Sequence, residues 1–146
     1  MILFSFVGIN DAITRDSNGG ALLTVSRAYG DELEKVYIFA NTNTIKADFV
    51  QIAEKNKRVL ESEIKGVDLS IIHVDIIDPT SHQLVFQILN DELSKIFDEH
   101  KDVRESSKII NISSGTPTMS TCWVLMTKSG LILNSTLVQS VDPKFR

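Results

Sequence analysis

The chain has 146 residues, of which 42% are hydrophobic and 23% are charged, and its formal net charge at pH 7 is −4. This length suits one compact domain, and the composition excludes the disordered and low-complexity classes. The negative charge opposes binding to duplex nucleic acid, which depends on Lys and Arg side chains that neutralise many phosphates. We therefore expect a single globular domain over residues 1–146.

The start of the chain is apolar but lacks the features of a targeting or membrane segment. Residues 1–8 have no basic flank, and Asn10, Asp11 and Arg15 follow almost at once. This pattern predicts a cytoplasmic protein with neither a signal peptide nor a membrane span. The single cysteine, Cys122, lies in an apolar run and is predicted to be a buried side chain without chemistry of its own.

The first half of the chain alternates between apolar runs and segments with helical spacing. Residues 2–7 are almost continuously apolar, which is typical of a strand buried on both faces of a parallel sheet. Residues 21–29 predict a short helix, and residues 36–40 predict a second strand. Thr44 is the expected cap of a second helix. The apolar positions of that helix are Ile45, Phe49, Ile52, Ala53, Leu60 and Ile64.

The alternation continues in the second half. Residues 69–77 are rich in β-branched side chains, predict a third strand and stop at Asp78 and Pro79. Residues 108–112 predict a fourth strand. The helix expected between these two strands has apolar positions at Leu84, Val85, Ile88, Leu89, Leu93, Ile96 and Phe97.

The last helix has the clearest boundaries in the sequence. Thr116 is the expected cap, Pro117 occupies the favoured first helical position, and Gly130 can end the helix. Residues 131–138 then predict a fifth strand, which leaves residues 139–146 as a tail.

Strands separated by helices of this length imply right-handed crossovers and a parallel sheet. The predicted fold class is therefore α/β, with a Rossmann-like, doubly wound, mainly parallel sheet of five to six strands and helices on both faces. In such sheets the loops after the first and fourth strands diverge and leave a crevice at the carboxyl ends of the strands, where ligands bind.

The loop after the fourth strand has the composition of an anion-binding site. It combines hydroxyl groups, a glycine that permits close backbone approach, and the unpaired amides of a helix N-terminus. The alternative is that the hydroxyls merely cap the helix. We favour a phosphate-binding loop, made of Ser113, Ser114, Gly115, Thr116, Pro117 and Thr118.

The loop after the first strand contains Asn10 and Asp11. These side chains could contact a ribose or a base edge, but Asn and Asp are also common in turns for local backbone reasons, so both interpretations stay open. The sequence has no dinucleotide fingerprint, no Walker A loop and no His or Cys cluster at metal-ligand spacing. We expect neither a cofactor nor a metal.

Residues 111–119, Asn-Ile-Ser-Ser-Gly-Thr-Pro-Thr-Met, resemble the signature that follows the fourth strand in CARF domains, the CRISPR-associated Rossmann fold. Residues 6–11, 19–23 and 36–39 are similar to the first motif and second strand of the same family. CARF domains are the sensory domains of ancillary effectors in type III CRISPR antiviral defence.

This resemblance implies a homodimer that binds a cyclic oligoadenylate second messenger, a tetra- or hexa-adenylate ring, across its two-fold axis. The dimer would allosterically control an effector domain. The Arg-to-His pair of the HEPN ribonucleases, the effector of many relatives, does not occur here. Because the chain ends soon after the last predicted strand, we expect it to be the sensory part of a longer protein, whether a nuclease, a deaminase or a transcriptional regulator. We expect the last helix to form the dimer seam, since its apolar residues exceed what one sheet face must cover.

The resemblance also implies the ligand-binding residues, while no catalytic residue is assigned. Residues of the fourth-strand loop would hold phosphate and ribose, and residues of the first loop would line the ring. Residues after the second strand are weaker candidates for adenine contacts. The alternative function is a metal-independent ring nuclease that cleaves its bound ring. The predicted ligand-binding residues are Gly8, Asn10, Asp11, Thr42, Asn43, Ser113, Ser114, Gly115, Thr116, Thr118 and Met119.

Overall fold

The computed structural model describes residues 1–140, so residues 141–146 of the predicted tail lie outside the described residues. One sheet of five strands, in the order β3-β2-β1-β4-β5, has every neighbouring pair parallel. The predicted doubly wound α/β fold is confirmed, with five strands in the described part. The strands are β1 (Ile2–Phe6), β2 (Lys35–Asn41), β3 (Asp68–Val74), β4 (Lys108–Asn111) and β5 (Ser135–Val138).

Within the described residues, five α-helices cover the two faces of the sheet. They are α1 (Ala21–Tyr29), α2 (Phe49–Glu63), α3 (His82–Glu99), α4 (Lys101–Glu105) and α5 (Pro117–Lys128). Helices α1 and α2 belong to the hydrophobic core on one face, and α3, α4 and α5 belong to the core on the other. Within residues 1–140 no helix combines the length and apolarity that crossing a bilayer would need.

Strand β1 divides its side chains between the two cores because successive residues of a strand point to opposite faces. Phe4 and Phe6 pack on the α3 and α5 side, whereas Leu3 packs on the α1 and α2 side. The Phe4 ring stacks on Tyr37 with centroids 5.1 Å apart, and the Phe6 centroid lies 5.6 Å from that of Trp123. The central strand is thus buried throughout, as its apolar run predicted.

Helix α2 begins later than the sequence predicted. Its cap is Asp48, which accepts a hydrogen bond from the Gln51 amide at 3.0 Å. Thr44 instead accepts from the Lys46 amide at 3.1 Å in a local turn, and Ile45 is fully exposed rather than part of the buried stripe. The predicted Thr44 cap is wrong because another capping side chain follows it before the periodic residues begin.

The predicted ends of β3 and β5 also need correction. Strand β3 ends at Val74. Beyond it, the Asn41 side chain takes the place of the backbone pairing: it accepts from the Ile76 amide at 2.9 Å and donates to the Ile76 carbonyl at 3.0 Å. Strand β5 begins at Ser135, because residues 131–134, which were predicted as strand, lie in a turn with positive φ at Gly130 and Asn134. Both strands were predicted too long because the residues beside them are apolar.

The amino end of β4 carries a buried lysine, Lys108, which no local sequence pattern predicted. Lys108 is 1% exposed, and its ammonium donates to the carbonyls of Arg104, Ser106 and Leu133 at 2.6, 2.7 and 2.9 Å. Burial lowers the pKa of Lys108 below its ordinary value. This side chain joins the end of α4 to the turn that precedes β5.

Replacing this ammonium should destabilise the fold. We expect Lys108→Met to lower the free energy of unfolding by about 2 kcal/mol, because three carbonyls lose a charged donor while most of the apolar stem is kept. Urea denaturation followed by the fluorescence of the single tryptophan, Trp123, measures this. Lys101→Met is the control, since Lys101 is exposed. Equal stability of the two variants would contradict the assignment.

Candidate functional site

The loops after β1 and β4 lie side by side at the carboxyl edge of the sheet, because β1 and β4 are neighbouring parallel strands. The chain leaves β1 towards α1 on one face and leaves β4 towards α5 on the other. This is the switch point of the doubly wound sheet, and the two loops that the sequence paired are brought together there.

Two glycines allow the loops to touch. A Cβ atom added to Gly8 would lie 2.7 Å from the Gly115 amide nitrogen, so the first loop has no room for a side chain there. Gly115 has φ of +91°, in the left-handed region that favours glycine. Both residues are needed for the backbones to approach this closely.

The Asp11 carboxylate fixes this contact. Its Oδ2 accepts from the Gly8 amide at 2.8 Å, and its Oδ1 accepts from the Leu22 amide at 3.1 Å and the Ser114 hydroxyl at 3.0 Å. Asp11 is 1% exposed. Burial raises the pKa of Asp11 above its ordinary value, and these donors oppose that rise. The carboxylate therefore joins the first loop, the start of α1 and the fourth-strand loop.

Asn111, the last residue of β4, extends the same network into the sheet. Its amide group donates to the Ser5 hydroxyl at 3.1 Å and the Ser114 hydroxyl at 3.0 Å, and its Oδ1 accepts from the Ser113 amide at 3.0 Å. Asn111 is fully buried, so these bonds satisfy polar groups that water does not reach. The buried Asn111 side chain thus fixes the conformation of the fourth-strand loop.

Two hydroxyls of the fourth-strand loop also have partners. Thr116 accepts from the Met119 amide at 3.3 Å, which caps α5, and donates to the Pro79 carbonyl at 3.0 Å. Ser113 accepts from the Ser140 amide at 2.8 Å and donates to the Ser140 carbonyl at 3.3 Å. The predicted Thr116 cap of α5 is confirmed.

A crevice of about 1590 Å³ opens above these loops. Ten of the eleven predicted ligand-binding residues line it, and Thr118 does not. Thr118 lies in the first turn of α5, where its hydroxyl donates to the Thr80 carbonyl at 3.2 Å and its side chain is buried. The residues that line the crevice are Gly8, Asn10, Asp11, Thr42, Asn43, Ser113, Ser114, Gly115, Thr116 and Met119.

Some groups at the crevice keep their hydrogen-bonding capacity. Within residues 1–140, the Asn10 side chain and the amides of Ser114 and Gly115 have no hydrogen-bond partner. Asn10 is exposed, and the two amides lie just before the N-terminus of α5. These groups can bind an anion or a polar ligand without breaking a bond of the fold.

Sequence reasoning missed the other walls of the crevice. The start of α1 contributes Gly20, where an added Cβ atom would collide with the Asn10 carbonyl. The exit of β2 was predicted through Thr42 and Asn43, and because the carboxyl ends of parallel strands share one edge, the exit of β3 could have been included as well. Further lining residues are Gly19, Ala21, Thr24, Ile45, Lys46, Phe49, Asp75, Ile77, Pro79 and Ser140.

Within residues 1–140 no group of three or more His, Cys, Asp or Glu side chains is placed to hold a metal ion. Most polar groups at the crevice are amides, hydroxyls and carboxamides, and its charged side chains are Asp11, Asp75 and Lys46. Its floor is held by the buried Asp11 and Asn111 side chains.

Replacing the Asp11 carboxylate should destabilise the whole site. Asp11→Asn keeps the shape but places an amide group opposite at least one N–H donor, so we expect the free energy of unfolding to fall by about 2 kcal/mol. Urea denaturation followed by Trp123 fluorescence measures the change. Asp16→Asn is the matched control, because Asp16 lies in the same inter-element segment and is exposed. Unfolding of D11N at the wild-type urea concentration would contradict the network.

Comparison with known proteins finds a likeness in structure. No family model matches the chain, and no curated protein matches it. Among solved structures, Enterococcus italicus Csm6 bound to cyclic hexa-2'-fluoro-hexa-dAMP matches with a TM-score of 0.78 and 21% sequence identity. The match covers 97% of this chain and 33% of the Csm6 chain. The likeness confirms the Rossmann-like fold that the sequence predicted.

Proposed function

We propose that this chain binds a cyclic oligoadenylate in the crevice between the β1 and β4 loops. The observation that carries the proposal is the set of unpaired donors there: the amides of Ser114 and Gly115 and the carboxamide of Asn10. They lie at a switch point, where open α/β sheets bind ligands. The similarly folded Csm6 structure contains a cyclic hexa-adenylate analogue, which supports this class of ligand.

Phosphate binding is supported by the two helices that begin at the crevice. The N-terminal residues of α1 and α5, among them Gly20 and Thr116, belong to its lining. Helix N-termini carry partial positive charge, which favours an anion. At α1 the Leu22 amide already donates to the Asp11 carboxylate, so the start of α5 is the end that offers free amides to a ligand. The volume of about 1590 Å³ exceeds the usual range for a single small ligand. A ligand with several phosphates and bases suits this space.

We further propose that two copies share one ring. A ring with an even number of nucleotides presents the same groups to two identical loops, which a two-fold dimer can exploit. Two apolar side chains of the crevice, Ile9 and Ile77, are 59% and 74% exposed, and a second copy or the ligand would cover them. The excess of apolar residues expected on α5 is not found, since only Leu125 remains largely exposed there.

The proposed role of such a dimer is that of a sensor. Binding that favours one arrangement of the two copies would shift a population of conformations, and an attached effector domain would respond to that shift. The chain spans 33% of the Csm6 chain it matches, so this control is proposed for a longer protein.

Calorimetry with rings of three to six adenylates tests the ligand and the stoichiometry together. We expect the tetra- or hexa-adenylate ring to bind with one ring for two chains, and a linear hexa-adenylate to bind more weakly because it is not preorganised. Chromatography of the recovered ligand shows whether the ring is only bound or also cut. Absence of binding by every ring would refute the proposal, and one ring for each chain would refute the shared site.

A single substitution tests the placement of the ligand. We expect Asn10→Ala to weaken ring binding about tenfold, the size of one lost hydrogen bond to a charged group, without lowering stability. Calorimetry and urea denaturation measure the two effects. Asn18→Ala is the control, because Asn18 is exposed in the same inter-element segment but outside the lining. If both variants bind like the wild type, the ligand does not contact Asn10.

A further inference from the structure

The crevice contains one side chain whose charge suits a polyanion, and neither sequence motif includes it. Of the Lys and Arg side chains in residues 1–140, Lys46 alone lines the crevice. Over the same residues its ammonium makes no ion pair and no hydrogen bond. The residue itself is exposed. Its positive charge is therefore available to a ligand.

The rest of the crevice supplies no such charge. Residues 113–119 contain neither Lys nor Arg. Two carboxylates line the crevice, Asp11 and Asp75, and both accept hydrogen bonds: Asp11 from the donors beneath the loops, and Asp75 from the Asn43 amide group at 2.6 Å. A ligand with several phosphates would meet these carboxylates, so Lys46 is the group that can offset the repulsion.

The segment that carries Lys46 has few fixed contacts. It is held at one end by the buried Asn41 and at the other by the Asp48 cap of α2. Between them, the bond from the Lys46 amide to the Thr44 hydroxyl is local. Because Lys46 is exposed and lines the crevice, its side chain is accessible to a ligand there.

We propose that Lys46 binds a phosphodiester group of the crevice ligand and supplies the salt-dependent part of its affinity. This inference rests on the proposed oligoadenylate site and extends it along the segment after β2, beyond the predicted Thr42 and Asn43 to Lys46. The amides of the fourth-strand loop then position one phosphate while Lys46 neutralises another. Neutralising a phosphate releases counterions, so the interaction makes binding weaken as salt rises.

Titration of the full chain with the ring that the wild type binds, at several salt concentrations, tests this. We expect Lys46→Gln to weaken binding about fivefold at low salt, as for an exposed charge pair. The slope of log Kd against log salt should fall by about 0.7 for each phosphate that Lys46 no longer neutralises. Lys46→Arg should keep the wild-type slope. Lys65→Gln is the matched control, because Lys65 is exposed and lies outside the crevice.

Each outcome has one meaning. A lower slope in K46Q alone, with unchanged urea stability, supports the interaction. Wild-type affinity and slope in K46Q overturn it and leave the proposed function intact. Equal effects of K46Q and K65Q also overturn it, since they reflect net charge and not a direct ion pair. If the wild-type chain binds no ring at any salt concentration, the proposed function fails, and this inference fails with it.

Discussion

The Asp11 carboxylate lies buried among three donors that come from three separate segments: the first loop, the start of α1 and the fourth-strand loop. A buried carboxylate is costly unless such donors surround it, so the three segments are held in one arrangement. Asn111 anchors the same arrangement to the sheet through Ser5 and Ser114. The floor of the crevice is therefore formed before a ligand arrives, which reduces the entropy lost on binding.

The loop after β4 caps α5, as one interpretation of its composition predicted, while phosphate binding by this loop stays a prediction. The Thr116 hydroxyl caps α5 and the Ser114 hydroxyl joins the buried network, so both have structural roles. What the loop leaves for a ligand is its backbone, the amides of Ser114 and Gly115. Weaker binding on replacing Ser114 or Thr116 would consequently reflect altered loop geometry and not the loss of a hydroxyl bond to the ligand.

The sequence predicted the elements whose signals are local. Apolar runs located the strands, and Thr116 with Pro117 located the start of α5. It did not predict placements that depend on how elements pack. The orientation of α5 turns Thr118 towards the Thr80 carbonyl, and the path of an exposed segment brings Lys46 to the crevice. Neither periodicity nor capping encodes these positions, because both are decided by tertiary contacts.

The paired hydrogen bonds between Ser113 and Ser140 join the fourth-strand loop to the segment that follows β5. A hydroxyl has a single proton to donate. A phosphate that accepted a hydrogen bond from Ser113 would therefore compete with the Ser140 carbonyl for that proton. Ligand binding in the crevice and this bond to Ser140 would then be coupled, each weakening the other.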